Sequence, residues 1–316
     1  MTERIVSAYA AAARELADDH RAEARWYEAL RADPLVDGLE LSYTNGLHPE
    51  GSGRLAALLD PDWSVVVTAI RRTLGAGHRY PAYGLASADD AGRRAAVADV
   101  AAMRQHIREL ERPVLAVELH SAPNRGRARS TTGDLERSLE EIVSWDWGGS
   151  RLIVEHCDAF RSSGEVQKGY LSLAEEMDAM AAVSARFGSE LRIALNWGRS
   201  AIEAAAPEGA EHHLDLALDA GLLGAYFFSG AAAVESAYGG PWRDVHLPLD
   251  VDEPTSLLTT ARVASAVRRL PRDLAYVGVK TTAHPERRGI DRLEETLRLL
   301  AVVDRCMRGA GPDHSS

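Results

Sequence analysis

Apolar stretches of strand length recur eight times along the chain at regular intervals. Most are near-continuous runs of valine, isoleucine, leucine and alanine, without alternation between apolar and polar residues. This pattern is typical of parallel strands that are buried on both faces. The predicted strands span residues 5–9, 36–41, 63–70, 113–119, 151–157, 191–195, 222–228 and 273–279.

Segments with helical periodicity separate these strands. Eight strands alternating with eight helices predict a single α/β domain, a (β/α)8 TIM barrel of residues 1–308, followed by a flexible tail, 309–316. A doubly wound open sheet is the alternative, but the chain lacks the GxGxxG fingerprint of that fold, and Gly75-Ala76-Gly77 is interpreted as a flexible loop. The predicted helices span residues 13–31, 53–59, 88–111, 134–143, 173–187, 209–220, 254–270 and 292–307.

The composition argues against several classes of protein. Of its 316 residues, 46% are apolar and 26% charged, which is enough for a full hydrophobic core. The formal net charge of −11 argues against nucleic acid and anionic membranes as partners, because both need a basic surface. The chain shows no signal-peptide layout and no apolar run of membrane-spanning length, and its two cysteines are too few for a disulfide framework. We therefore expect a cytoplasmic protein with a small-molecule partner, and homo-oligomerisation stays open.

Polar residues are concentrated where the predicted strands end. In (β/α)8 barrels the catalytic residues lie at these C-terminal strand ends. Glu155, in strand five, is the strongest candidate for acid–base or ligand-binding work, with a structural salt bridge to Arg199 or Lys280 as the alternative. Glu118, in strand four, is equally suited to catalysis and to bracing a neighbouring strand. The other polar strand-end residues are Glu40, Tyr43, Thr68, Arg71, Arg72, His120, His156, Asp158, Asn196 and Ser229.

Two histidines accompany these glutamates, His120 near Glu118 and His156 next to Glu155. We expect the side chains of each pair to begin on opposite faces of their strand, so that one of each pair points away from the barrel axis. Both histidines are candidates for substrate binding, although a packing role is commoner for a histidine at such a position. The neighbouring pair His212-His213 is predicted to lie on the surface.

Three loops that follow strands carry arginine and histidine with almost no acidic residues. Loops after strands share one end of a barrel, so their cations would face a common ligand. Arginine binds phosphate and carboxylate groups through paired hydrogen bonds. We therefore favour an anionic substrate over the alternative that these arginines only interact with solvent. Arg71 and Arg125 are the candidates from two of these loops, and His246 belongs to the long loop after strand seven, a candidate lid. The three basic loops span residues 68–87, 120–133 and 281–289.

The order of strand-end residues resembles the xylose-isomerase-like barrel superfamily of sugar isomerases and epimerases, and within it the bacterial families without an assigned function. The family pattern places a glutamate after strand five, an acid and a histidine after strand six, a histidine after strand seven and an acid after strand eight. Glu155 matches this pattern. At the other three strands the chain departs from it, with Asn196 and Arg199, then Ser229, then Lys280.

These departures argue against the divalent metal that the resemblance implies. Charged lysine and arginine supply no lone pairs to a cation, so a bound metal cofactor is disfavoured. Lys280 would place a fixed positive charge beside the substrate carbonyl, and Glu155 or Glu118 would move the proton. We therefore expect a metal-independent isomerase or epimerase for a small, anionic, sugar-like metabolite.

Two alternatives to this reaction stay open from the sequence. A desolvated Lys280 could form a Schiff base, which would make the protein an aldolase-type lyase. The loss of metal ligands could also mean a non-catalytic sugar-binding or regulatory barrel. Under each reading the expected substrate-binding residues are Asn196, Arg199, His120, His156, Arg71, Arg125 and His246.

Overall fold

The structure, a computed structural model, describes residues 2–12, 16, 18–161 and 167–309. Eight parallel strands close into one barrel in sequence order, with the first strand hydrogen-bonded to the eighth. The predicted (β/α)8 fold is confirmed. The strands are β1 (Glu3–Val6), β2 (Gly38–Ser42), β3 (Ser64–Thr68), β4 (Ala116–Leu119), β5 (Arg151–Glu155), β6 (Arg192–Asn196), β7 (Leu223–Phe228) and β8 (Tyr276–Val279).

Helices surround the barrel and bury their apolar faces against outward-pointing strand residues such as Val65, Val117 and Val154. Helix α7 begins at a capping box in which Ser172 and Glu175 exchange hydrogen bonds. The α-helices of the described ranges are α1 (Ala8–Ala11), α2 (His20–Arg31), α3 (Ser52–Leu58), α4 (Ile70–Arg79), α5 (Asp90–Arg108), α6 (Thr132–Val143), α7 (Leu173–Phe187), α8 (Trp197–Ala204), α9 (Glu208–Asp219), α10 (Thr260–Val267) and α11 (Glu294–Gly309).

Alternate strand residues point into the barrel and form a separate, smaller core. Successive side chains of a strand lie on opposite faces, so residues two apart share the interior. Glu118 follows Ala116 by two positions and Glu155 follows Ile153 by two, which places both carboxylates above the core at the C-terminal mouth. The interior core consists of Ile5, Val66, Ala116, Ile153, Ala194, Ala225, Phe227, Ala275 and Tyr276.

Strand β8 carries a glycine where this interior is most crowded. A Cβ atom on Gly278 would lie 2.2 Å from the ring of Phe227, far inside van der Waals contact. The same ring lies under the ammonium of Lys280, with 4.5 Å between Nζ and the ring centroid. Gly278 therefore lets the Phe227 ring pack against the strand that positions Lys280.

The Gly75-Ala76-Gly77 segment was predicted to be a flexible loop, and that prediction is wrong. All three residues lie inside helix α4. Ile70, Thr73 and Ala76 form a buried stripe at helical spacing on this helix. Tertiary burial of that stripe outweighs the low helix propensity of the two glycines.

Two predicted segments extend beyond the described residues. Helix α2 begins at His20 with Asp19 as its N-cap, whereas residues 13–15 and 17 of the predicted helix 13–31 lie outside the described ranges. Helix α11 ends at Gly309, and the rest of the predicted tail, 310–316, also lies outside them. Within the described ranges, no helix is long and apolar enough to cross a membrane.

Replacing Gly278 by alanine should destabilise the barrel, because the new methyl group must displace the Phe227 ring. We expect the free energy of unfolding to fall by about 1–3 kcal/mol, the usual cost of overpacking a core. Urea denaturation measures the difference. The matched control is Gly77→Ala in helix α4, where nothing lies within 4 Å of the added atom and a gain of about 0.5–1 kcal/mol is expected. Equal stability of Gly278→Ala and wild type would contradict this packing.

Candidate active site

The side chain of Glu155 lies at the centre of a buried ionic cluster in the C-terminal mouth of the barrel. Its Oε1 atom is 2.6 Å from Arg199 Nη1 and 3.2 Å from Lys280 Nζ, while Oε2 is 2.8 Å from His120 Nε2. Burial raises the pKa of Glu155, but Arg199 and Lys280 outweigh burial and hold that pKa well below its usual range. Glu155 therefore stays ionised at neutral pH.

Lys280 joins Glu155 to a second carboxylate, Glu40 on β2. The ammonium donates to Glu40 Oε1 over 2.9 Å, and the Tyr9 hydroxyl donates to the same oxygen over 3.2 Å. Burial lowers the pKa of Lys280, but Glu155 and Glu40 outweigh burial and raise the pKa well above its ordinary value. Lys280 therefore keeps its proton and acts as a fixed positive charge between the two carboxylates.

Glu118 differs from these carboxylates in its protonation. Burial raises its pKa well above the ordinary value, and the negative charges of Glu155 and Glu40 raise it further. Its Oε1 atom accepts a hydrogen bond from the Tyr276 hydroxyl over 2.5 Å. Glu118 is thus held as a neutral carboxylic acid beside ionised Glu155.

His120 is a neutral imidazole oriented by Glu155. Burial lowers its pKa and outweighs the opposing effect of the Glu155 carboxylate. Since ionised Glu155 only accepts hydrogen bonds, Nε2 of His120 carries the proton and donates it over 2.8 Å. The Nδ1 atom is then an unprotonated lone pair, and it is buried without a hydrogen-bond partner among the described residues. This arrangement is that of a general base held in position by a carboxylate.

Other buried polar atoms around the cluster also lack partners within the described part of the chain. They are Glu118 Oε2, Asn196 Nδ2 and Asp158 Oδ1. The Asn196 side chain is held through its oxygen, which accepts from Arg199 N over 3.2 Å and from Ser229 Oγ over 2.7 Å. Buried donors and acceptors are almost always satisfied in native proteins, so a concentration of exceptions at one place marks a site for a polar ligand.

Asp244 fastens the long loop after β7 onto the barrel mouth. Its carboxylate accepts from Arg199 Nε over 3.0 Å, pairs with Lys168 Nζ and lies 3.1 Å from His246 Nδ1. Burial and the neighbouring cations Arg199 and Lys280 lower the pKa of His246 to about 3, so its imidazole is neutral. Asp244 and His246 therefore attach this loop, the candidate lid, to the ionic cluster.

The structure brings together Glu155, Asn196, Arg199 and Lys280, the four predicted residues from strand ends five, six and eight. His246 also reaches this group, since its Nδ1 atom is 3.4 Å from Ser229 Oγ.

The expectation that one residue of each glutamate–histidine pair points outward is wrong for the first pair. His120 follows Glu118 by two positions, and the strand period places both side chains inside the barrel. In the second pair Glu155 points inward and His156 points outward. The outward position places His156 between Glu176, 2.7 Å from Nδ1, and Glu203, 3.0 Å from Nε2. His156 therefore lies outside the ionic cluster, and its predicted substrate contact is not supported.

Arg71 lies at the rim of a cavity of about 620 Å³ beside the C-terminal ends of β1 and β2. Its guanidinium stacks on the ring of Tyr9, with 4.9 Å to the centroid. Glu40 lines the same cavity, so the cavity borders the ionic cluster at this carboxylate.

Arg125 is paired with an acidic residue of a neighbouring helix. Its guanidinium makes a bidentate pair with Glu175 of α7, with contacts of 2.8 and 2.7 Å. Arg72 and Arg287, in the other two basic loops, are likewise paired, with Asp99 and with Glu294. The loops have few acids in their own sequence, but the adjacent helices supply carboxylates that pair with these three arginines, and the anionic ligand stays a prediction.

Several residues of the site, including Tyr9, were not predicted from the sequence. Asp244 and Lys168 lie in loops, where no periodic pattern shows which way a side chain points. Tyr276 belongs to an apolar strand and resembles a core residue, which it also is. The inward period of β8 could have indicated Tyr276, because it lies four positions before Lys280 on the same face.

The residues at strand ends five to eight do not fit the divalent metal of the resembling superfamily. Glu155 is the one carboxylate among Glu155, Asn196, Ser229 and Lys280, and the Lys280 ammonium lies 3.2 Å from it. Glu40, Glu118 and Glu155 do bring carboxylate oxygens within 4.8 Å of one another. However, Lys280 already bridges two of these carboxylates, and a divalent cation there would face a like charge.

The chain matches the family described as Domain of unknown function (DUF4862) over residues 5–294. It is 32% identical over 283 residues to a Salmonella typhimurium protein, Uncharacterized protein STM3670, with 87% of this chain and 88% of that protein covered. Identity of this extent indicates a common fold over nearly the whole chain.

Two solved structures of low sequence identity share the barrel. A Xylose Isomerase domain protein from Alicyclobacillus acidocaldarius superposes with a TM-score of 0.54 at 12% identity, covering 98% of this chain and 99% of that one. D-allulose 3-epimerase from Methylomonas sp. superposes with a TM-score of 0.57 at 12% identity, covering 98% of each chain. The predicted resemblance to xylose-isomerase-like barrels is confirmed at the level of the fold.

The pairing of Arg125 with Glu175 can be measured with a double-mutant cycle. Both side chains are about a third exposed (27% and 32%), so we expect a coupling of about 0.5–1 kcal/mol in the free energy of unfolding. The cycle combines Arg125→Gln with Glu175→Gln, followed by urea denaturation at low salt. In 1 M NaCl the coupling should shrink. Zero coupling at low salt would return Arg125 to the residues available for a ligand.

Proposed function

The chain belongs to the DUF4862 family and carries a xylose-isomerase-like barrel, and on that premise we propose that it is a sugar isomerase or epimerase. It moves a proton beside a carbonyl without a divalent metal in its active centre. The observation that carries this proposal is the His120–Glu155 pair, a neutral imidazole whose buried Nδ1 atom has no partner within the described ranges. Ionised Glu155 orients the imidazole and stabilises the imidazolium that forms when Nδ1 takes a proton.

Each step of the proposed proton transfer can be assigned to a residue of the ionic cluster. His120 Nδ1 removes the proton from the carbon next to the carbonyl, and the electron pair of that C–H bond forms the enediolate. The fixed charges of Arg199 and Lys280 stabilise the negative charge that develops on oxygen. Isomerisation then delivers this proton to the former carbonyl carbon, while the hydroxyl proton passes from one enediolate oxygen to the other. Epimerisation needs a second proton donor, and the candidate is the neutral acid Glu118, whose Oε2 atom is buried and has no partner in the described chain.

The lyase alternative is disfavoured by the protonation of Lys280. A Schiff base needs an unprotonated amine as nucleophile. Catalytic lysines reach that state when an apolar site lowers their pKa, whereas Glu155 and Glu40 raise the pKa of Lys280. We therefore assign Lys280 an electrostatic role.

The substrate is a small polyhydroxy carbonyl compound. Carboxylates already balance the cations of the closed cluster, since Glu155, Glu40 and Asp244 accompany Lys280, Arg199 and Lys168. An anionic group on the substrate is therefore assigned to the exposed Arg71, at the rim of the cavity that reaches Glu40. Entry to the cluster requires the loop of Asp244 to open, and closure removes water from the reacting atoms.

Proton exchange with solvent tests the proposed reaction. A panel of aldoses, ketoses, sugar phosphates and uronates is incubated with the protein in D2O, and deuterium at the carbon beside the carbonyl is followed by NMR. His120→Gln keeps an amide donor toward Glu155 and removes the Nδ1 base, so we expect exchange to fall about 10²–10⁴-fold. The control is the same substitution at the exposed His78, which should leave exchange unchanged. Exchange that is equal in His120→Gln and wild type, or absent with every substrate, would contradict the proposal.

Chelation tests whether the reaction needs a metal, and borohydride reduction tests whether Lys280 forms an imine. We expect exchange to persist after EDTA treatment, measured at a temperature where circular dichroism shows the protein folded, because no step requires a metal. Sodium borohydride added with an active ketose should leave the protein mass unchanged, since Lys280 forms no imine. Loss of exchange on chelation, with recovery on adding Mn²⁺ or Mg²⁺, would refute the metal-free mechanism. A reduced adduct on Lys280 would establish the lyase instead.

A further inference from the structure

A second polar cluster lies on the outer face of β5, between the barrel and its helices. It consists of His156, which follows β5, Glu203 of α8 and His213 of α9. Both imidazoles are buried and the Glu203 side chain is 17% exposed. His213 was predicted to be a surface residue together with His212, and that prediction is wrong for His213, because the α9 helix turns it toward the barrel.

The two histidines direct the same ring nitrogen at Glu203. His156 Nε2 is 3.0 Å from Glu203 Oε2, and His213 Nε2 is 3.4 Å from Glu203 Oε1. One ligand atom from each of the three residues lies within 4.8 Å of the other two. Ligand atoms about 2.0–2.1 Å from a tetrahedral Zn²⁺ ion are about 3.3 Å apart, which is close to the two histidine–carboxylate distances in this cluster.

The opposite nitrogen of each ring has its own partner. His156 Nδ1 is 2.7 Å from Glu176 Oε2, and His213 Nδ1 is 3.0 Å from Ser200 Oγ. Hydrogen bonds of this kind fix the orientation of metal-binding histidines and are a regular part of zinc sites. The cluster therefore has both the inner ligands and the outer hydrogen bonds of such a site.

We propose that this cluster binds a zinc ion through His156 Nε2, His213 Nε2 and the Glu203 carboxylate, with water as the fourth ligand. Two imidazoles and one carboxylate are a regular ligand set for Zn²⁺, and nitrogen ligands disfavour Mg²⁺ and Ca²⁺. With neutral imidazoles, the two charges of the ion are balanced by Glu203 and the nearby Glu176. Zinc binding would therefore leave no uncompensated charge in the protein interior.

This site is separate from the proposed active centre and does not depend on it. Glu155 and His156 are adjacent but point to opposite faces of the strand, into the barrel and toward the helices. The expected absence of a metal at strand ends five to eight does not extend to the outer face. Zinc here would tie the end of β5 to α8, the helix that has Asn196 as its N-cap and carries Arg199.

The competing account of the cluster needs no metal. A protonated His156 can donate to both Glu176 and Glu203, which makes an ordinary buried ion pair. A proton and a zinc ion compete for the same Nε2 lone pair, so metal binding decides between the two accounts.

Zinc titration of the full-length protein tests the proposal. Protein freed of metal by chelator dialysis is titrated with ZnCl2 against a chromophoric chelator, and the melting temperature is recorded with and without zinc. We expect one Zn²⁺ per chain and a higher melting temperature, because the ion binds the folded state. Co²⁺ in place of zinc should show the visible absorption of tetrahedral coordination.

Variants locate the site. His213→Ala removes one ligand and should weaken zinc binding at least about 100-fold, while Ser200→Ala removes an outer hydrogen bond and should weaken it about 10–100-fold. His212→Ala, at the exposed neighbouring position, is the matched control and should bind as wild type does. Glu203→Gln is a second ligand variant that preserves side-chain shape. No zinc binding by wild type, equal binding by His213→Ala and wild type, or loss of binding in His212→Ala alone would overturn the proposal.

Discussion

One buried interaction organises the C-terminal mouth of the barrel, the Lys280 ammonium between the carboxylates of Glu40 and Glu155. Each of these charges would be strongly unfavourable alone in the interior, and together they satisfy one another. The bridge joins strands β2, β5 and β8 across the barrel. Because Glu155 is then held ionised, it can also pair with Arg199 and orient His120. The protonation state of the site follows from this bridge.

Much of the fold could be predicted because buried parallel strands leave long apolar runs, and all eight strands were located to within a few residues. The inward direction of Glu118 and Glu155 follows from the same period of two. Pairings between distant residues could not be predicted in this way. Arg199 meets Asp244 from 45 positions away, and Arg125 meets Glu175 from 50 positions away. Local charge counts miss such partners, which is why the pairing of these arginines was not predicted.

At the end of β5, two neighbouring side chains lie in different environments. Glu155 faces the closed, charged interior, while His156 faces the layer between strands and helices. A parallel strand buried on both faces cannot satisfy polar side chains with water, so each polar residue must find its partners within the protein. The sequence shows the two polar residues side by side, but the helices that supply Glu176 and Glu203 decide what each can do.

Gly278, Phe227 and Lys280 form a chain of contacts, so substitutions at these three positions depend on one another. A side chain at position 278 displaces the Phe227 ring, and the ring carries the ammonium of Lys280 on its face. A substitution at any one of these positions would disturb the Lys280 ammonium at the mouth of the barrel. Because Phe227 lies on β7 and Gly278 on β8, a larger side chain at position 278 fits only if the packing at position 227 changes as well. A chimera that takes only one of these two strands from a distant relative would separate Gly278 from the ring that it accommodates.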